Sequence, residues 1–487
     1  MKTLLGIAPV RLGIVGLLLC TVTCAVNPVT QKQELMLISE QDELQLGRQT
    51  DAQIVQEYGL YEDPELTAYL NTFCQRLGKI SHRPQLNYQF KILDASVVNA
   101  FAVPGGYVYF SRGILASLNN EAELAGVMGH EIGHIAARHS AQQYSKAQFA
   151  QMTVGLGAVV AQAAGLPGLA GLAQMGVGML FMRFSRDNER QADSLGVEYA
   201  SKLEYDATQL AHFFETLERM NPGSDRSGLP GWFSTHPSPE DRLQAVTSQS
   251  RRWQERLGKK EMKVNRDAYL SRIDGLIYGD DPRQGYVAEG IFFHPGLRFQ
   301  FPVPPKWKLM NTPSQVQMVS EGQDGAILFS LASGMSSREA SQTFVKKTRA
   351  QVVSSDSIRV SDLPSQRLLS NIQTDKGTLR VTSYFIEKGK NLYVFHGLTS
   401  AAQSQKYQGI FDQTMTKFRE LTDPKRMNVQ PDRVHVRPTK EADTLEAALR
   451  SLGVPNDQLE ATALLNGRFL KDSIPADTLV KVVGKGR

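Results

Sequence analysis

The residues best suited to chemistry are two histidines and a glutamate in the sequence His130-Glu131-Ile132-Gly133-His134. In an α-helix, positions four apart lie one turn apart on nearly the same face, so both imidazoles can reach one metal ion. Glu131 lies beside them, where its carboxylate can take a proton from a water held by that metal. The alternative is a chance pattern, because two surface histidines at this spacing usually bind nothing.

A helix over residues 121–138 is predicted to carry this pattern. Asn120 is a good N-cap, and Glu123 follows it three residues later, as in a capping box. An apolar stripe with helical spacing runs along the segment: Leu124, Val127, Met128 and Ile135. Because an imidazole without a partner is costly inside an apolar core, this context favours a metal site over a chance pattern.

A zinc site of this kind needs a third protein ligand. In a continued helix, His139 would face away from His130, so we do not expect it at the metal. Glu189 and Asp193 are four residues apart in a second predicted helix and therefore share a face. One of them can bind the metal while the other holds the far N–H of a histidine. The alternative for this acidic pair is a solvent-exposed helix face.

Three blocks of the sequence resemble the M48 family of zinc metalloendopeptidases. In chain order they are Val98-Asn99-Ala100-Phe101-Ala102-Val103-Pro104-Gly105-Gly106, then residues 123–134, then Ser185-Arg186-x-x-Glu189-x-x-Ala192-Asp193. The broader likeness extends from about Asn27 to about Glu255. The resemblance implies one Zn²⁺ per chain, with a role for each candidate. His130, His134 and Glu189 are the implied zinc ligands, Glu131 the catalytic base and Asp193 a support for the ligands.

A fourth block, Ser234-Thr235-His236-Pro237-Ser238-Pro239-Glu240-Asp241-Arg242, resembles a further segment of the same family. Here His236 lies on a loop before a predicted helix. It can either hydrogen-bond the oxyanion formed from the substrate or act as a fourth zinc ligand that closes the site. Arg242 can help to neutralise the same charge. The alternative is a helix-capping loop with a surface histidine.

The N-terminal residues predict export from the bacterial cytoplasm. Lys2 and Arg11 precede an apolar run that ends in small and polar residues, so residues 1–24 are predicted to be a signal peptide. Cys24 resembles the lipid-attachment cysteine of exported lipoproteins, which would place the protein at the outer membrane. An uncleaved membrane anchor is the alternative.

Export and the M48 resemblance together imply a periplasmic protease of the β-barrel assembly-enhancing kind, which acts on unfolded or mis-assembled envelope proteins. We expect the segment Tyr107-Val108-Tyr109-Phe110 to form a strand that pairs with extended substrate. Two alternatives stay open. One is an envelope chaperone or binding protein whose metal site is closed, and the other is a cell-wall-tethered, glycan-binding protein.

The predicted fold is multidomain. Residues 27–278 should form a mainly α, zincin-type (gluzincin) peptidase domain, and residues 286–422 a small α+β domain of unknown role. Residues 433–487 resemble a LysM module, a peptidoglycan-binding α+β unit, at Asp443-Thr444-Leu445 and Leu465-Asn466. Residues 147–182 contain no charged side chain, and we expect a packed helical pair there rather than a membrane hairpin.

Composition excludes several other classes of protein. The chain has 487 residues, 41% of them hydrophobic, which is typical of folded domains and not of disordered chains. Its net charge of +5 is too small for this length to indicate a nucleic-acid partner. Three cysteines cannot form a disulfide framework or a four-thiolate zinc site.

Overall fold

The computed structural model describes residues 24–146, 183–220, 231–374 and 377–486. Apart from Cys24, the predicted signal peptide lies outside these residues, and so does the predicted helical pair in 147–182. Cys24 begins a short strand, Cys24–Val26, whose backbone pairs with Gln33–Leu35. Within the described ranges, no helix is both long enough and apolar enough to cross a membrane.

The first part of the chain is mainly helical and contains three short sheets or strand pairs. Its helices are Glu40–Tyr58, Pro64–Lys79, Arg112–Ser117, Glu121–Ala136, Arg186–Lys202, Thr208–Met220, Trp232–Thr235, Arg242–Leu257 and Arg266–Ile273, and residues 139–146 are also helical. Its strands are Cys24–Val26, Gln33–Leu35, Gln89–Leu93, Ala100–Val103, Tyr107–Ser111 and Ile277–Tyr278. A single large hydrophobic core joins most of these elements.

The helix Glu121–Ala136, here named the central helix, passes through this core. All of its residues are buried. The Asn120 side chain accepts a hydrogen bond from the backbone N–H of Glu123, at 2.7 Å, so the predicted N-cap is confirmed. The buried environment explains why so many small and apolar residues are needed along this helix.

Glycines bring the central helix unusually close to the helix Arg186–Lys202, here named the acidic helix. A Cβ at Gly129 would lie 3.1 Å from the carbonyl oxygen of Gly196, and one at Gly196 would lie 2.9 Å from that of Gly126. Side chains at these positions would force the two backbones apart. The close approach is what brings the carboxylates of the acidic helix to the histidines of the central helix.

A three-stranded sheet lies beside the central helix. Tyr107–Ser111 is its middle strand, parallel to Gln89–Leu93 and antiparallel to Ala100–Val103. All five residues of this middle strand are buried. The prediction that residues 107–110 pair with substrate is therefore wrong, because both edges of that strand already have partners. Among the described strands, Ala100–Val103 is the edge of the sheet on this side.

The middle part of the chain is built on antiparallel sheets. Its larger sheet has seven strands in the order Lys308–Asn311, Gln315–Val319, Gly325–Ser333, Asn391–Ser400, Gly377–Lys388, Leu363–Thr374 and Gln351–Val360. A four-stranded sheet contains Arg419–Glu420, Phe299–Pro302, Ile291–His294 and Tyr286–Ala288 in that order. Helices Ser337–Thr348 and Ser404–Met415 pack on these sheets, and short helical turns are Pro282–Gln284, Ala401–Gln403 and Pro424–Met427.

Two local predictions in this middle part can be compared with the structure. The sequence Lys388-Gly389-Lys390-Asn391 between two apolar segments predicts a hairpin turn, which is confirmed because Lys388 pairs with Asn391 at the end of the two strands. The spacing of Phe411, Met415 and Phe418 predicts one helix that carries all three, but the helix ends at Met415. Phe418 lies beyond the helix end but is buried in the same aromatic core.

The C-terminal part has the predicted order of strand, helix, helix and strand. Its elements are the strand Asp432–Pro438, the two-residue strand Asp443–Thr444, the helices Leu445–Ser451 and Leu459–Leu465 with the turn Asn456–Gln458 between them, and the strands Ser473–Ile474 and Leu479–Lys485. The first strand pairs with the last and also with Ile277–Tyr278 of the mainly helical first part of the chain. Val434 is buried in the large core of that part. This region is therefore packed into the body of the molecule, and glycan binding by it stays a prediction.

Candidate metal centre

Four buried side chains converge where the central helix faces the acidic helix. One ligand atom from each of His130, His134, Glu189 and His236 lies within 4.8 Å of all the others. Nε2 of His130 is 3.0 Å from Nε2 of His134, and Nδ1 of His236 is 3.1 Å from Oε1 of Glu189. Three imidazoles and a carboxylate are the ligand types that Zn²⁺ prefers.

Each ligand is positioned by its own element. His130 and His134 lie one turn apart on the central helix, as their spacing predicts. Glu189 lies in the first turn of the acidic helix, whose start is fixed by a capping box between Ser185 and Asn188. His236 directly follows the short helix Trp232–Thr235 and donates its backbone N–H to the carbonyl oxygen of Trp232.

Trp232 fixes the position of His236. Its backbone N–H donates to the carbonyl oxygen of Val98 at 3.1 Å, which ties this loop to the segment before the edge strand. Its indole stacks on the His236 ring, with 4.3 Å between the ring centroids and 23° between the planes. The sequence analysis did not identify Trp232, since its role depends on a stacking contact that spacing along the chain does not show.

Asp193 and Arg242 lie behind the ligands. Nδ1 of His130 is 2.9 Å from Oδ1 of Asp193, which leaves Nε2 of the imidazole facing the other ligands. Arg242 donates to both oxygens of Asp193, at 2.8 and 2.9 Å, and to Oε2 of Glu189 at 2.9 Å. Its guanidinium also lies 4.0 Å from the centre of the Phe214 ring. These hydrogen bonds from Arg242 hold the two carboxylates in place.

The charges around these carboxylates set their ionisation. Burial alone would raise the pKa of Glu189, but His236, His130 and Arg242 outweigh that effect and lower it below its usual value. Burial likewise opposes ionisation of Asp193, and Arg242 together with the hydrogen bond from His130 lowers its pKa. Both groups are therefore held as carboxylates, the form that binds a metal or a histidine N–H.

Glu131 differs from every other polar group of this cluster. It is completely buried, and neither of its carboxylate oxygens has a hydrogen-bond partner in the ranges that the structure covers. Its Oε1 lies 3.7 Å from Nε2 of His236, which also has no hydrogen-bond partner there. Burial raises the pKa of Glu131, and the neighbouring His236 and His130 offset only part of this. Such orphaned polar atoms are expected where a reacting ligand has to bind.

His139 contradicts its sequence-based placement. The central helix ends at Ala136, and Arg138 then adopts a left-handed conformation with φ of 58°, which turns the chain back. Nδ1 of His139 lies 2.9 Å from Nδ1 of His134, and its Nε2 lies 2.9 Å from Oε1 of Gln191. The prediction that His139 faces away is wrong, because it assumed a continued helix. His139 holds the far side of a ligand and is not itself part of the four-residue cluster.

An aromatic side chain that the sequence analysis also missed covers the cluster. The ring of Phe184 stacks on that of His134 with 4.0 Å between their centroids. Its backbone N–H donates to the carbonyl oxygen of Thr235, next to His236. Burial and the neighbouring His130 and His139 lower the pKa of His134 well below its usual value, so its imidazole is neutral and able to bind a metal.

Comparison with known proteins agrees with this geometry. Residues 64–250 match peptidase family M48. The chain is 31% identical over 209 residues to the β-barrel assembly-enhancing protease of Escherichia coli K12, covering 41% of this chain and 42% of that protein. It is 27% identical over 223 residues to the mitochondrial metalloendopeptidase OMA1 of Schizosaccharomyces pombe, covering 45% of this chain and 64% of that protein.

These matches cover the peptidase part of the chain, which spans less than half of the E. coli relative. Among solved structures, cyanobacterial PsbP of Synechocystis is similar over 28% of this chain, at 11% identity and a TM-score of 0.25, which is too distant to identify a fold. The four ligand candidates, their supports and Glu131 all lie inside the matched range 64–250. The chain therefore carries a peptidase domain of family M48.

Proposed function

We propose that this chain is a zinc-dependent metalloendopeptidase of the bacterial cell envelope. The observation that carries the proposal is the buried group of His130, His134, Glu189 and His236 beside Glu131, a carboxylate with no hydrogen-bond partner among the described residues. When bound, zinc supplies a Lewis acid that polarises a peptide carbonyl and makes water more acidic. Three neutral or anionic protein ligands are enough to hold it for catalysis.

In this proposal His130, His134 and Glu189 hold the zinc ion. The neutral imidazole of His134 and the ionised carboxylate of Glu189 are the forms that such binding requires. Asp193 keeps His130 in one orientation and one tautomer by accepting its Nδ1–H. Arg242 bridges the two carboxylates and compensates their charge inside the core.

Glu131 acts as the general base and later as the general acid. Its raised pKa brings it closer to neutral pH, where one group can both accept and return a proton. It takes the proton of the attacking water at a carboxylate oxygen and passes it to the nitrogen of the leaving amine. No other carboxylate of the cluster is available for this, since Glu189 and Asp193 are each bound to Arg242.

His236 has two roles that the geometry supports to different degrees. Its Nδ1 lies among the ligand atoms, 3.3 Å from Nε2 of His130, which favours a fourth ligand that closes the site. Moving the imidazole out of that position would free it to stabilise the substrate oxyanion through an N–H. This position is also the observation that favours the second candidate function, a binding or chaperone-like protein with a closed site.

The substrates are proposed to be unfolded or mis-assembled envelope proteins. Support comes from the similarity to bacterial β-barrel assembly-enhancing proteases and from the predicted export signal. Extended substrate would pair with the edge strand Ala100–Val103, which lies beside the central helix. A periplasmic location, a lipid anchor on Cys24, and peptidoglycan as a partner of residues 433–487 belong to the same proposal.

Zinc content per chain tests the proposal most directly. We expect one zinc per purified wild-type chain by elemental analysis, and none in His130→Ala or Glu189→Ala. His212→Ala, an exposed histidine of the helix Thr208–Met220, is the matched control and should keep its zinc. Unfolded casein should be cleaved only by the proteins that keep zinc. Zinc retained in Glu189→Ala would show that the third ligand is wrong.

A further inference from the structure

A cavity of about 560 Å³ lies where the peptidase part meets the middle domain. We name it the junction groove. Its walls carry aromatic rings, among them Tyr58, Phe292, Phe299 and Phe329. Its lining also includes four large apolar side chains that are strongly exposed: Leu60 at 41%, Val287 at 38%, Leu297 at 36% and Leu331 at 44%.

These four exposed side chains are clustered around one cavity. Across the described residues, ten large hydrophobic side chains are exposed to this degree, and four of the ten line this one cavity. Single exposed apolar residues are normal on a protein surface, whereas a contiguous group around a concave site indicates a binding surface.

Two strand edges border the groove. Tyr286–Ala288 is the last strand of the four-stranded sheet, and Lys308–Asn311 is the first strand of the seven-stranded sheet. Val287 and Asn311 from these two strands line the cavity. Since an edge strand presents unpaired backbone N–H and C=O groups, an extended polypeptide can pair with it while its side chains enter the apolar cavity.

The charge of the lining selects among extended polypeptides. Asp94 and Asp281 line the groove and are paired with Arg112 and Arg283. Two more lining carboxylates, Asp280 and Asp432, have no ion-pair partner in the ranges described; the lining cation Lys485 also has none there. An excess of negative charge therefore remains, and it favours a segment that carries lysine or arginine beside its apolar residues.

A short stretch of chain connects the lining of the groove to the residues beside the metal centre. Ser96 lines the groove, and two residues later the carbonyl oxygen of Val98 accepts the N–H of Trp232, whose ring stacks on His236. The edge strand Ala100–Val103 follows directly. At about 3.3 Å per extended residue, Ser96 and Ala100 are at most about 13 Å apart along the chain. One extended polypeptide of ten or more residues can therefore reach both places.

We propose that the junction groove binds an extended, non-native polypeptide segment that carries apolar side chains and a basic residue. It retains a substrate chain there while another part of the same chain enters the metal centre. The consequence for cleavage rests on the proposed function, but the binding itself does not. Three features favour such a segment as the ligand. They are the two strand edges, the carboxylates of Asp280 and Asp432, which have no ion-pair partner among the described residues, and the short path along residues 96–103.

Binding is measured on the full chain carrying Glu131→Gln, so that a peptide is not consumed. The probe is a fluorescein-labelled 16-residue peptide with alternating valine or phenylalanine and serine and with two arginines, followed by fluorescence anisotropy. Leu331→Asp should weaken binding at least tenfold, and so should Leu297→Asp. Val352→Asp, 51% exposed on the strand Gln351–Val360 of the same sheet, is the matched control and should bind like the parent.

Charge preference is the second readout of the same experiment. The parent should prefer the arginine peptide over one with two glutamates in their place, and Asp280→Lys should reverse that preference. Equal affinity for both peptides in the parent, or equal loss in Leu331→Asp and Val352→Asp, overturns the proposal. So does a wild-type dimer in sedimentation that Leu331→Asp dissociates, because the groove would then be an interface between copies.

Cleavage by the wild-type background separates this proposal from the proposed function. Leu331→Asp should raise KM for unfolded casein about tenfold and leave kcat unchanged. For a three-residue fluorogenic peptide, which spans only about 10 Å and so cannot occupy both places, both constants should stay the same. If the wild type cleaves neither substrate yet binds the arginine peptide, the proposed protease function is wrong and peptide binding by the groove is supported. If it cleaves both substrates and Leu331→Asp changes neither KM nor kcat, only the proposed role of the groove is wrong.

Discussion

Two buried polar clusters lie on the central helix, and they differ in how completely their groups are paired. In one cluster, Glu123 accepts hydrogen bonds from the backbone N–H of Asn119 at 2.7 Å and from the side chain of Asn120 at 3.1 Å. In the other, eight residues later, both oxygens of Glu131 lack partners within the described structure. Burial raises the pKa of both glutamates, that of Glu123 to about 7.

The nitrogen-containing side chain near each glutamate also differs in how completely it is hydrogen-bonded. Lys481, from the last strand of the chain, is completely buried, and its ammonium donates to the carbonyl oxygens of Ala116 and Leu118 at 2.7 and 2.9 Å. His236, next to Glu131, has an Nε2 with no hydrogen-bond partner in the part of the chain that the structure describes. A buried polar group that is fully paired stabilises one packing arrangement, whereas an unpaired one indicates that a ligand or substrate completes it.

The first and largest test of this comparison exchanges each glutamate for glutamine. Glu131→Gln removes the general base, so we expect cleavage of unfolded casein to fall by about 10³-fold, within the usual contribution of such a group. Zinc content should stay at the wild-type level, because Glu131 is not among the four ligand candidates. Initial cleavage rates and elemental analysis of the same preparations measure both quantities.

Glu123→Gln is the matched control, since it changes the same residue type on the same helix at similar burial. Its amide can still accept the N–H of Asn119, so activity should stay within about threefold of wild type. The comparison is wrong if this variant folds, holds zinc and is as inactive as Glu131→Gln. A retained biological effect of Glu131→Gln would instead favour the chaperone-like alternative.

The second test removes the buried cation. Lys481→Met removes the stronger of two positive charges that act on Glu123, the other being that of Arg266. Loss of one charge from a coupled buried pair lowers the free energy of unfolding by about 3 kcal/mol. Urea unfolding at neutral pH measures this. The exposed Lys485→Met on the same strand should have little effect. Lys481→Met combined with Glu123→Gln should recover much of the loss, and failure to do so would show that the two groups are not coupled.

The third test asks whether the two clusters are independent. Zinc at about 100 times its dissociation constant should raise the free energy of unfolding by about 2.7 kcal/mol, because the folded chain binds it. Zinc should raise the free energy of unfolding of Lys481→Met by as much as that of the wild type, since Glu123 and His130 are about 10 Å apart along the helix. His130→Ala should gain nothing. A smaller gain in Lys481→Met would mean that docking of the C-terminal part sets the geometry of the metal centre.

Much of the metal centre was predictable because helical periodicity is local. The spacing of His130 and His134 and the N-cap at Asn120 depend on one segment only, and both are found as expected. The placement of Glu189 and His236 beside them was reached through the resemblance of short blocks to a family. Spacing alone could not show that these segments meet, since glycine-mediated helix contact brings them together.

The failed predictions share a physical reason, which is contact between segments distant in sequence. Tyr107–Ser111 has the aromatic and β-branched composition of a strand, but only the sheet order shows that it is central. His139 turns back because Arg138 adopts a positive φ, which an arginine does not signal. Lys481 would be taken for a surface residue, yet it is buried against the carbonyl oxygens of Ala116 and Leu118 at the end of the helix Arg112–Ser117. Such placements depend on packing across the whole chain.

The smallest effect expected is a change in pH dependence. Burial raises the pKa of Glu123 to about 7, whereas in the unfolded chain it is near 4.5. Between these values the folded chain holds a proton that the unfolded chain has released, so stability falls as pH rises, by at most about 1.4 kcal/mol per pH unit. Burial lowers the pKa of Lys481, which has the opposite effect, because at higher pH only the unfolded chain keeps that proton.

Lys481→Met should therefore lose more stability as pH rises. Without the lysine the pKa of Glu123 rises further, so the pH range in which this glutamate lowers the free energy of unfolding extends above pH 7. The gain in the free energy of unfolding that Lys481 provides as pH rises is lost as well. Urea midpoints at pH 5, 7 and 9 in saturating zinc should show the gap to wild type widening by about 1 kcal/mol per unit above pH 7. The double variant Glu123→Gln with Lys481→Met should lose the part of this pH dependence that the glutamate causes. A gap that stays constant with pH would mean that neither Glu123 nor Lys481 changes its ionisation over this range in the folded protein.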